Sequence, residues 1–222
     1  SLKYYLAQAL SIRAFDYFVL AQMYQHTYKG NESKPCVPLI TNENANEAAA
    51  NGCARSTVQE VYDQIMSDLN KAVSLLENTD KTRGTDKRYI SKEVAYGLRA
   101  RVNLTMQNWT AAAEDAQKAI DGSGTPYSRE EASAPGFTES SDHSWMWAIV
   151  IAETDRVVTS GIVNFPSHMG SLNYGYASVG SWRMINKKLY NEIPDTDVRK
   201  GWWLDANKHS DNLNEAQVAQ AT

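Results

Sequence analysis

Pairs of acidic residues and the histidines are the side chains that could perform acid–base or metal chemistry in this sequence. Glu153 and Asp155 stand two positions apart and could act as the two carboxylates of a glycosidase. Pairs at such short range are more often solvated turn residues. The histidines lie at positions 26, 143, 168 and 209 without metal-ligand spacing, and neither a GxSxG nor an HExxH motif occurs. The sequence therefore predicts no catalytic residue, no metal site and no cofactor.

The segment DTDVRKG begins like a calcium-binding loop. Asp195 and Asp197 occupy the first two ligand positions, but Arg199 stands where the third oxygen ligand should be. The match is too weak to predict a calcium site.

The stretch NYGYASVGSW carries large rings that neither a helical nor a strand period explains. Tyr174, Tyr176 and Trp182 stand among glycines and small residues. Such rings either plug a neighbouring apolar surface or face outward to stack on a ligand, and the residues alone favour neither. Half-covering one ring with a sugar face removes about 100 Å² from water, worth roughly 2.5 kcal/mol before ordering costs.

Amide side chains accompany these rings. Asn164 and Asn173 can match sugar hydroxyls at little desolvation cost. The candidate ligand-binding residues are Asn164, Asn173, Tyr174, Tyr176 and Trp182.

Composition agrees with a binding surface. The 222 residues include 12 Tyr and 6 Trp but only 4 Phe, a bias toward rings that carry a polar group. The formal net charge of -4 argues against a nucleic-acid partner. Because the chain starts without Met and inside a helical pattern, we expect it to be a segment of a longer protein. Cys36 and Cys53 either form a disulfide or are two free thiols.

Apolar periodicity predicts a helical first half, which we assign to residues 1–122. Residues 2–28 form one predicted helix with two apolar stripes, which favours packing between neighbours on both sides. The stripes are Leu6, Leu10, Ala14, Tyr17, Ala21, Tyr24 and Tyr5, Ala9, Ile12, Val19, Met23. An irregular segment, residues 30–55, follows.

Capping signals predict three further helices in this half. One begins after Ser56 and Thr57, with two overlapping capping boxes, and the next begins after Ser91. The last, from about Trp109 to Asp121, is lined by alanines and should form a close antiparallel hairpin with its predecessor.

Residues 123–222 are predicted to be loop-rich. SWMWAIVI has the composition of a short strand, so Trp145 and Trp147 are predicted to lie in the core. A helix is predicted over residues 181–192. Trp202 and Trp203 are adjacent, so one should be packed and the other exposed.

The hairpin LRARVNLTMQNWTAAAEDAQKAI resembles a tetratricopeptide (TPR) repeat, with Asn103 where Tyr is usual and Gln107 in place of the turn glycine. Together with four other motifs, this hairpin makes the chain resemble the middle of the SusD/RagB family. Three of them precede the hairpin, QALSIRAFDYFVLAQMYQHTY, PLIT and STVQEVYDQIMSDLNKAVSLL, and one follows it, INKKLYNEIPDTDVRKGWW. The resemblance implies a mainly α-helical, TPR-like scaffold with a loop-rich segment and a short strand.

The resemblance also implies a function. The protein would be a non-catalytic component of a bacterial outer-membrane uptake system, held at the cell surface by a lipid anchor outside this segment. It would bind an oligosaccharide or polysaccharide and deliver it to a SusC-like TonB-dependent transporter. The alternatives are a TPR-like module that binds the transporter or a peptide rather than sugar, and a carbohydrate-active enzyme.

Overall fold

The computed structural model describes residues 1–134, 139–156 and 185–221. They fall into two units, Ser1–Gly124 and Thr125–Thr222, which are considered separately below.

The first unit is built on an antiparallel pair of long helices, α1 (Leu2–Tyr24) and α3 (Val58–Glu77). Buried residues alternate in steps of three and four on both helices, the period of a coiled-coil seam. They are Tyr4, Ala7, Ser11, Ala14, Phe18 and Ala21 on α1, and Val58, Tyr62, Ile65, Leu69, Ala72 and Leu76 on α3. Every second α1 position in this seam is alanine, so the two backbones can approach closely.

The apolar stripes predicted for α1 were partly wrong. Leu10, Ala14 and Ala21 are buried, but Leu6 is 44% and Tyr24 62% exposed. The seam begins instead at Tyr4 and includes polar residues, which a hydrophobic pattern does not select. In the second predicted stripe, Val19 is half-buried and the other four residues are exposed.

The segment between α1 and α3 folds back along α1. It contains one short helix, α2 (Ala45–Asn51). The Tyr17 hydroxyl donates to the Ile40 carbonyl oxygen at 2.9 Å and accepts from the Ile40 amide at 2.7 Å. Cys36 is buried, Cys53 is partly exposed, and both are free thiols.

A capping box begins α3, as predicted. Of the two overlapping candidates the structure uses Thr57 with Glu60: the Thr57 hydroxyl accepts from the Glu60 amide at 3.2 Å, and the Glu60 carboxylate accepts from the Thr57 amide at 2.7 Å. The hydrogen bond from the Thr57 backbone lowers the pKa of Glu60.

The predicted hairpin of α4 (Lys92–Thr105) and α5 (Trp109–Asp121) is confirmed. Arg99 donates to both carboxylate oxygens of Asp115 at 2.7 Å, and the buried Asn103 amide donates to the same group at 3.3 Å. Asn103 thus has a polar role where the repeat pattern usually has Tyr. Gln107, in the turn, has φ 64°, a conformation for which glycine is usual.

The second unit contains short helices: α6 (Arg129–Ser133), α7 (Lys187–Glu192), a 3-10 helix (Val198–Trp202) and α8 (Glu215–Ala221). α7 is the described part of the predicted helix 181–192. No helix in the described ranges is both long and apolar enough to cross a membrane.

The short strand predicted at SWMWAIVI does not form. Residues 147–152 have no regular structure, and no partner strand lies beside them in the described part of the chain. Ile149 is 73% and Val150 49% exposed. Trp145 and Trp147 are half-buried rather than in the core. A segment rich in β-branched and aromatic residues forms a strand only where another strand supplies hydrogen bonds.

The mainly α-helical architecture is as predicted.

Because alanines line the α1 side of the seam, a larger side chain at one of these positions should push α1 and α3 apart. Ala14 is fully buried, so Ala14→Leu should lower the free energy of unfolding by about 1–3 kcal/mol through overpacking. Urea unfolding measures the change. Ala9→Leu, on the exposed side of α1, is the matched control and should change stability little. Equal stability of Ala14→Leu and the unsubstituted protein would contradict close packing at the seam.

Candidate functional site

The five predicted glycan-binding residues lie outside the described residues. Asn164, Asn173, Tyr174, Tyr176 and Trp182 all fall within positions 157–184. Their assignment therefore stays a prediction.

The second unit has a pocket of about 410 Å³ with an aromatic and polar lining, here called the Trp203 pocket. Its rings are Trp203 and Tyr190, and its charged groups come mainly from the 3-10 helix and the turns on either side. Those charged groups are Arg129, Asp195, Asp197, Lys200, Asp205 and Asp211, and His209 also lines the pocket.

The sequence positions the 3-10 helix through local caps. Pro194 follows α7, and the Asp197 carboxylate accepts from the Arg199 amide at 3.0 Å to begin the 3-10 helix. The Asp211 amide donates to the Gly201 carbonyl oxygen at 2.7 Å, which brings the following turn back onto this helix. A Cβ at position 201 would collide with the Asp211 carboxylate as it lies here, so a larger residue would require that side chain to move.

The turn at residues 205–209 is held by one carboxylate. Asp205 accepts from the Asn207 amide at 2.8 Å and from the His209 amide at 2.9 Å. Its own amide donates to the His209 carbonyl oxygen at 3.0 Å, so the turn is closed from both sides. Lys208 has φ 62° within this turn.

The two adjacent tryptophans have different environments, as predicted. The Trp202 indole is half-buried and its Nε1 donates to the Ser133 hydroxyl at 3.3 Å. Trp203 is 43% exposed and lines the pocket. The exposed indole offers a flat apolar face to a ligand.

Asp195, Asp197 and Asp205 of the pocket have lowered pKa values and are ionised hydrogen-bond acceptors. The Lys200 ammonium lies 2.5 Å from Asp195 and lowers the pKa of that carboxyl. The hydrogen bonds from Arg199 lower the pKa of Asp197 to about 2, and the His209 amide lowers that of Asp205. A glycosidase general acid needs a raised carboxyl pKa, the opposite direction.

The calcium-like motif holds an internal ion pair. The Arg199 guanidinium lies 2.5 Å from Asp197 and so occupies one of the carboxylates that a cation would use. Within the described ranges, no group of three or more His, Cys, Asp or Glu side chains is arranged to hold a metal ion.

A second concave surface, here called the α1 groove, lies on the first unit. Its volume is about 1040 Å³, and it runs between α1 and residues 36–40. Its lining is mainly apolar, with Ile12 and Ile40 each 46% and Tyr24 62% exposed. Its charge is partly neutralised, because Arg13 is paired with Asp68 at 2.7 Å. This surface suits an apolar segment better than a sugar.

Sequence reasoning missed the Trp203 pocket, although its signals were present. In the sequence, DTDVRKG indicates a calcium-like loop and part of a family motif, and the tryptophan doublet indicates one packed and one exposed ring. The usable signal is their proximity: Asp195, Lys200 and Trp203 lie within nine residues, so one short turn can bring carboxylate, ammonium and indole together.

Comparison with known proteins confirms the resemblance to the SusD/RagB family. Residues 1–104 match a SusD-like family model described as "Starch-binding associating with outer membrane". No protein of curated function matches the chain.

Three solved structures are similar to this chain. A SusD-like carbohydrate-binding protein from Bacteroides vulgatus is 24% identical with a TM-score of 0.69, over 87% of this chain and 39% of its own. A SusD superfamily protein from Bacteroides thetaiotaomicron is 27% identical with a TM-score of 0.51, over 60% of this chain and 28% of its own. Another from Bacteroides fragilis is 22% identical with a TM-score of 0.57, over 89% of this chain and 43% of its own. The chain thus spans less than half the length of these relatives.

The Asp205 turn predicts how the pocket responds to substitution. Asp205→Ala removes the acceptor for two amides, so the turn should open and trypsin should cleave faster after Lys208. Limited proteolysis followed by mass spectrometry measures this rate. Asp205→Asn keeps an acceptor oxygen and is the control, with a rate near that of the unsubstituted protein. Unchanged cleavage of Asp205→Ala would show that the carboxylate does not hold the turn.

Proposed function

We propose that this chain, SusD-like in sequence over residues 1–104 and in fold over most of its length, is part of a non-catalytic glycan-binding protein of an outer-membrane uptake system. The protein delivers bound oligosaccharide to a SusC-like TonB-dependent transporter. It stands at the bacterial cell surface on a lipid anchor outside this segment. Residues 1–122 act as a scaffold, and residues 123–222 carry the binding loops of the same domain.

The single observation that carries this proposal is the lining of the Trp203 pocket. A sugar presents an apolar C–H face and a rim of hydroxyl groups. The 43% exposed indole of Trp203 suits the face, and ionised carboxylates with the Lys200 ammonium suit the rim. Covering half an indole contributes roughly 2.5 kcal/mol before ordering costs. One such ring gives weak binding, so affinity requires several contacts along a glycan.

The charge state of the pocket supports binding without catalysis. Asp195, Asp197 and Asp205 all have lowered pKa values, so they accept hydrogen bonds from sugar hydroxyls but do not donate a proton to a glycosidic oxygen near neutral pH. The family description, which names starch binding, supports the same assignment.

The aromatic stretch at residues 173–182 is proposed as a further part of the glycan-binding surface. Tyr174, Tyr176 and Trp182 supply rings, and Asn164 and Asn173 supply amides. This part of the proposal rests on residue types alone.

Truncation of the exposed indole tests the proposal. Trp203→Ala should weaken retention in affinity electrophoresis through gels containing starch or another cognate neutral polysaccharide, with Kd raised about tenfold. Trp109→Ala is the matched control, because Trp109 is 61% exposed on α5 of the first unit. Trp182→Ala and Tyr174→Ala in the same gels test the stretch 173–182.

The result that would contradict the proposal is equal retention of Trp203→Ala and Trp109→Ala by a polysaccharide that retains the unsubstituted protein. Unchanged mobility of both Trp182→Ala and Tyr174→Ala, in folded protein, would remove the second stretch from the site.

The α1 groove favours a second candidate function, binding of a protein or peptide. Its lining is apolar, and Ile12, Tyr24 and Ile40 leave large side chains in water. Burial of such a face against an amphipathic segment is favourable, whereas a sugar offers little to cover it. The partner proposed for this surface is the SusC-like transporter.

A charge placed in the groove tests the second function. Ile12→Glu should abolish co-purification with a co-expressed SusC-like transporter, because a carboxylate would be buried unpaired. Ile120→Glu is the control, since Ile120 is 64% exposed on α5 and lies outside the groove. Equal recovery of the transporter with both variants would exclude the groove from the interface.

A further inference from the structure

An aromatic and cationic surface lies at the start of α1, where the loop between α3 and α4 passes over it. It consists of Tyr5, Lys81 and Tyr89 and is called here the Tyr5–Tyr89 patch. Tyr5 is 51% and Tyr89 42% exposed, although both lie beside the buried ring of Tyr4. Their ring centroids are 5.5 and 6.4 Å from that of Tyr4. Two large rings are thus presented to solvent on a rigid base.

The Lys81 ammonium lies over the rings of Tyr4 and Tyr5. Its Nζ donates to the Tyr5 hydroxyl at 3.1 Å and lies 4.8 Å from the Tyr5 ring centroid and 5.6 Å from that of Tyr4. Cation–π contact and the hydrogen bond hold the side chain in one place. Because these contacts already restrict the Lys81 side chain, a ligand that binds it costs less side-chain conformational entropy.

Among the side chains that the structure describes, the Lys81 ammonium has no carboxylate partner. The ion pairs among the described side chains do not include Lys81. The nearby acid Asp86 is engaged by Arg88 at 2.8 Å. Residues 78–91 contain four basic and two acidic side chains, within a chain of net charge -4. The patch is therefore a local region of positive charge, and its Lys81 ammonium is outside the ion pairs of the described side chains.

We propose that the Tyr5–Tyr89 patch binds the anionic group of an acidic sugar, a carboxylate or a sulfate, with the sugar ring against Tyr5 or Tyr89. This inference rests on the proposed glycan-binding function and adds a substrate class to it. Lys81 supplies a charge-assisted hydrogen bond, and the tyrosines supply apolar area. The Trp203 pocket cannot serve this role equally, because its carboxylates repel an anionic sugar.

Affinity electrophoresis through gels containing polygalacturonate, dextran sulfate or dextran tests the patch. The protein should be retarded by at least one of the two acidic polymers. Retention by polygalacturonate indicates recognition of a carboxylate, and retention by dextran sulfate indicates recognition of a sulfate. Lys81→Gln should raise Kd about tenfold, the size of one charge-assisted hydrogen bond, while Lys81→Arg retains most of the binding. Added salt should weaken the retention. Lys71→Gln, an exposed lysine of α3, is the matched control and should not change it.

Three outcomes would overturn the inference: no retention in either acidic gel, equal retention of Lys81→Gln and the unsubstituted protein, or equal losses with Lys81→Gln and Lys71→Gln. If a neutral polysaccharide still retains the protein and Trp203→Ala does not bind it, the proposed function stands while this inference fails. If no polysaccharide of either kind retains the protein, both fail.

Discussion

Close approach of α1 and α3 is the constraint on which the first unit depends. Ala7, Ala14 and Ala21 line one side of the seam and leave room for the larger residues of α3, among them Ile65 and Leu69. A larger side chain at any of these alanines would push the helices apart. The same separation would stretch the ion pair of Arg13 with Asp68, which joins the middles of the two helices.

Buried polar groups determine how the neighbouring segments pack against the α1–α3 helix pair. The Gln8 amide donates to the Ile90 carbonyl oxygen and accepts from the Ile90 amide, both at 2.7 Å, so α1 is linked to the residue just before the cap of α4. In the α4–α5 hairpin, Asp115 pairs with Arg99. Polar atoms buried in this way are costly unless satisfied, so only one register of the helices suits them. These contacts hold the α3–α4 loop, and with it Tyr89 and Lys81, in a defined place on α1.

The sequence was informative where a local rule decides the structure. Caps at Thr57 and Ser91 and the alanine-lined α5 predicted the helices and their hairpin, because each depends on residues a few positions apart. The strand at residues 144–151 failed because a strand depends on a partner elsewhere. The α1 stripes were partly wrong because Gln8 and Ser11 are buried and polar, and hydrophobic periodicity does not select them. The Trp203 pocket depends on a turn that brings Asp211 onto Gly201, a contact that spacing does not reveal.

The central claim is that the second unit presents Trp203 as a sugar platform in a protein that binds and does not cleave. The most direct measurement is a crystal structure of the protein soaked with an oligosaccharide of a polysaccharide that retains it. The account predicts a sugar ring stacked on the Trp203 indole, hydroxyl groups within hydrogen-bond distance of Asp195 or Lys200, and intact glycosidic bonds. An oligosaccharide bound elsewhere with Trp203 uncovered, or a cleaved one in the pocket, would contradict it.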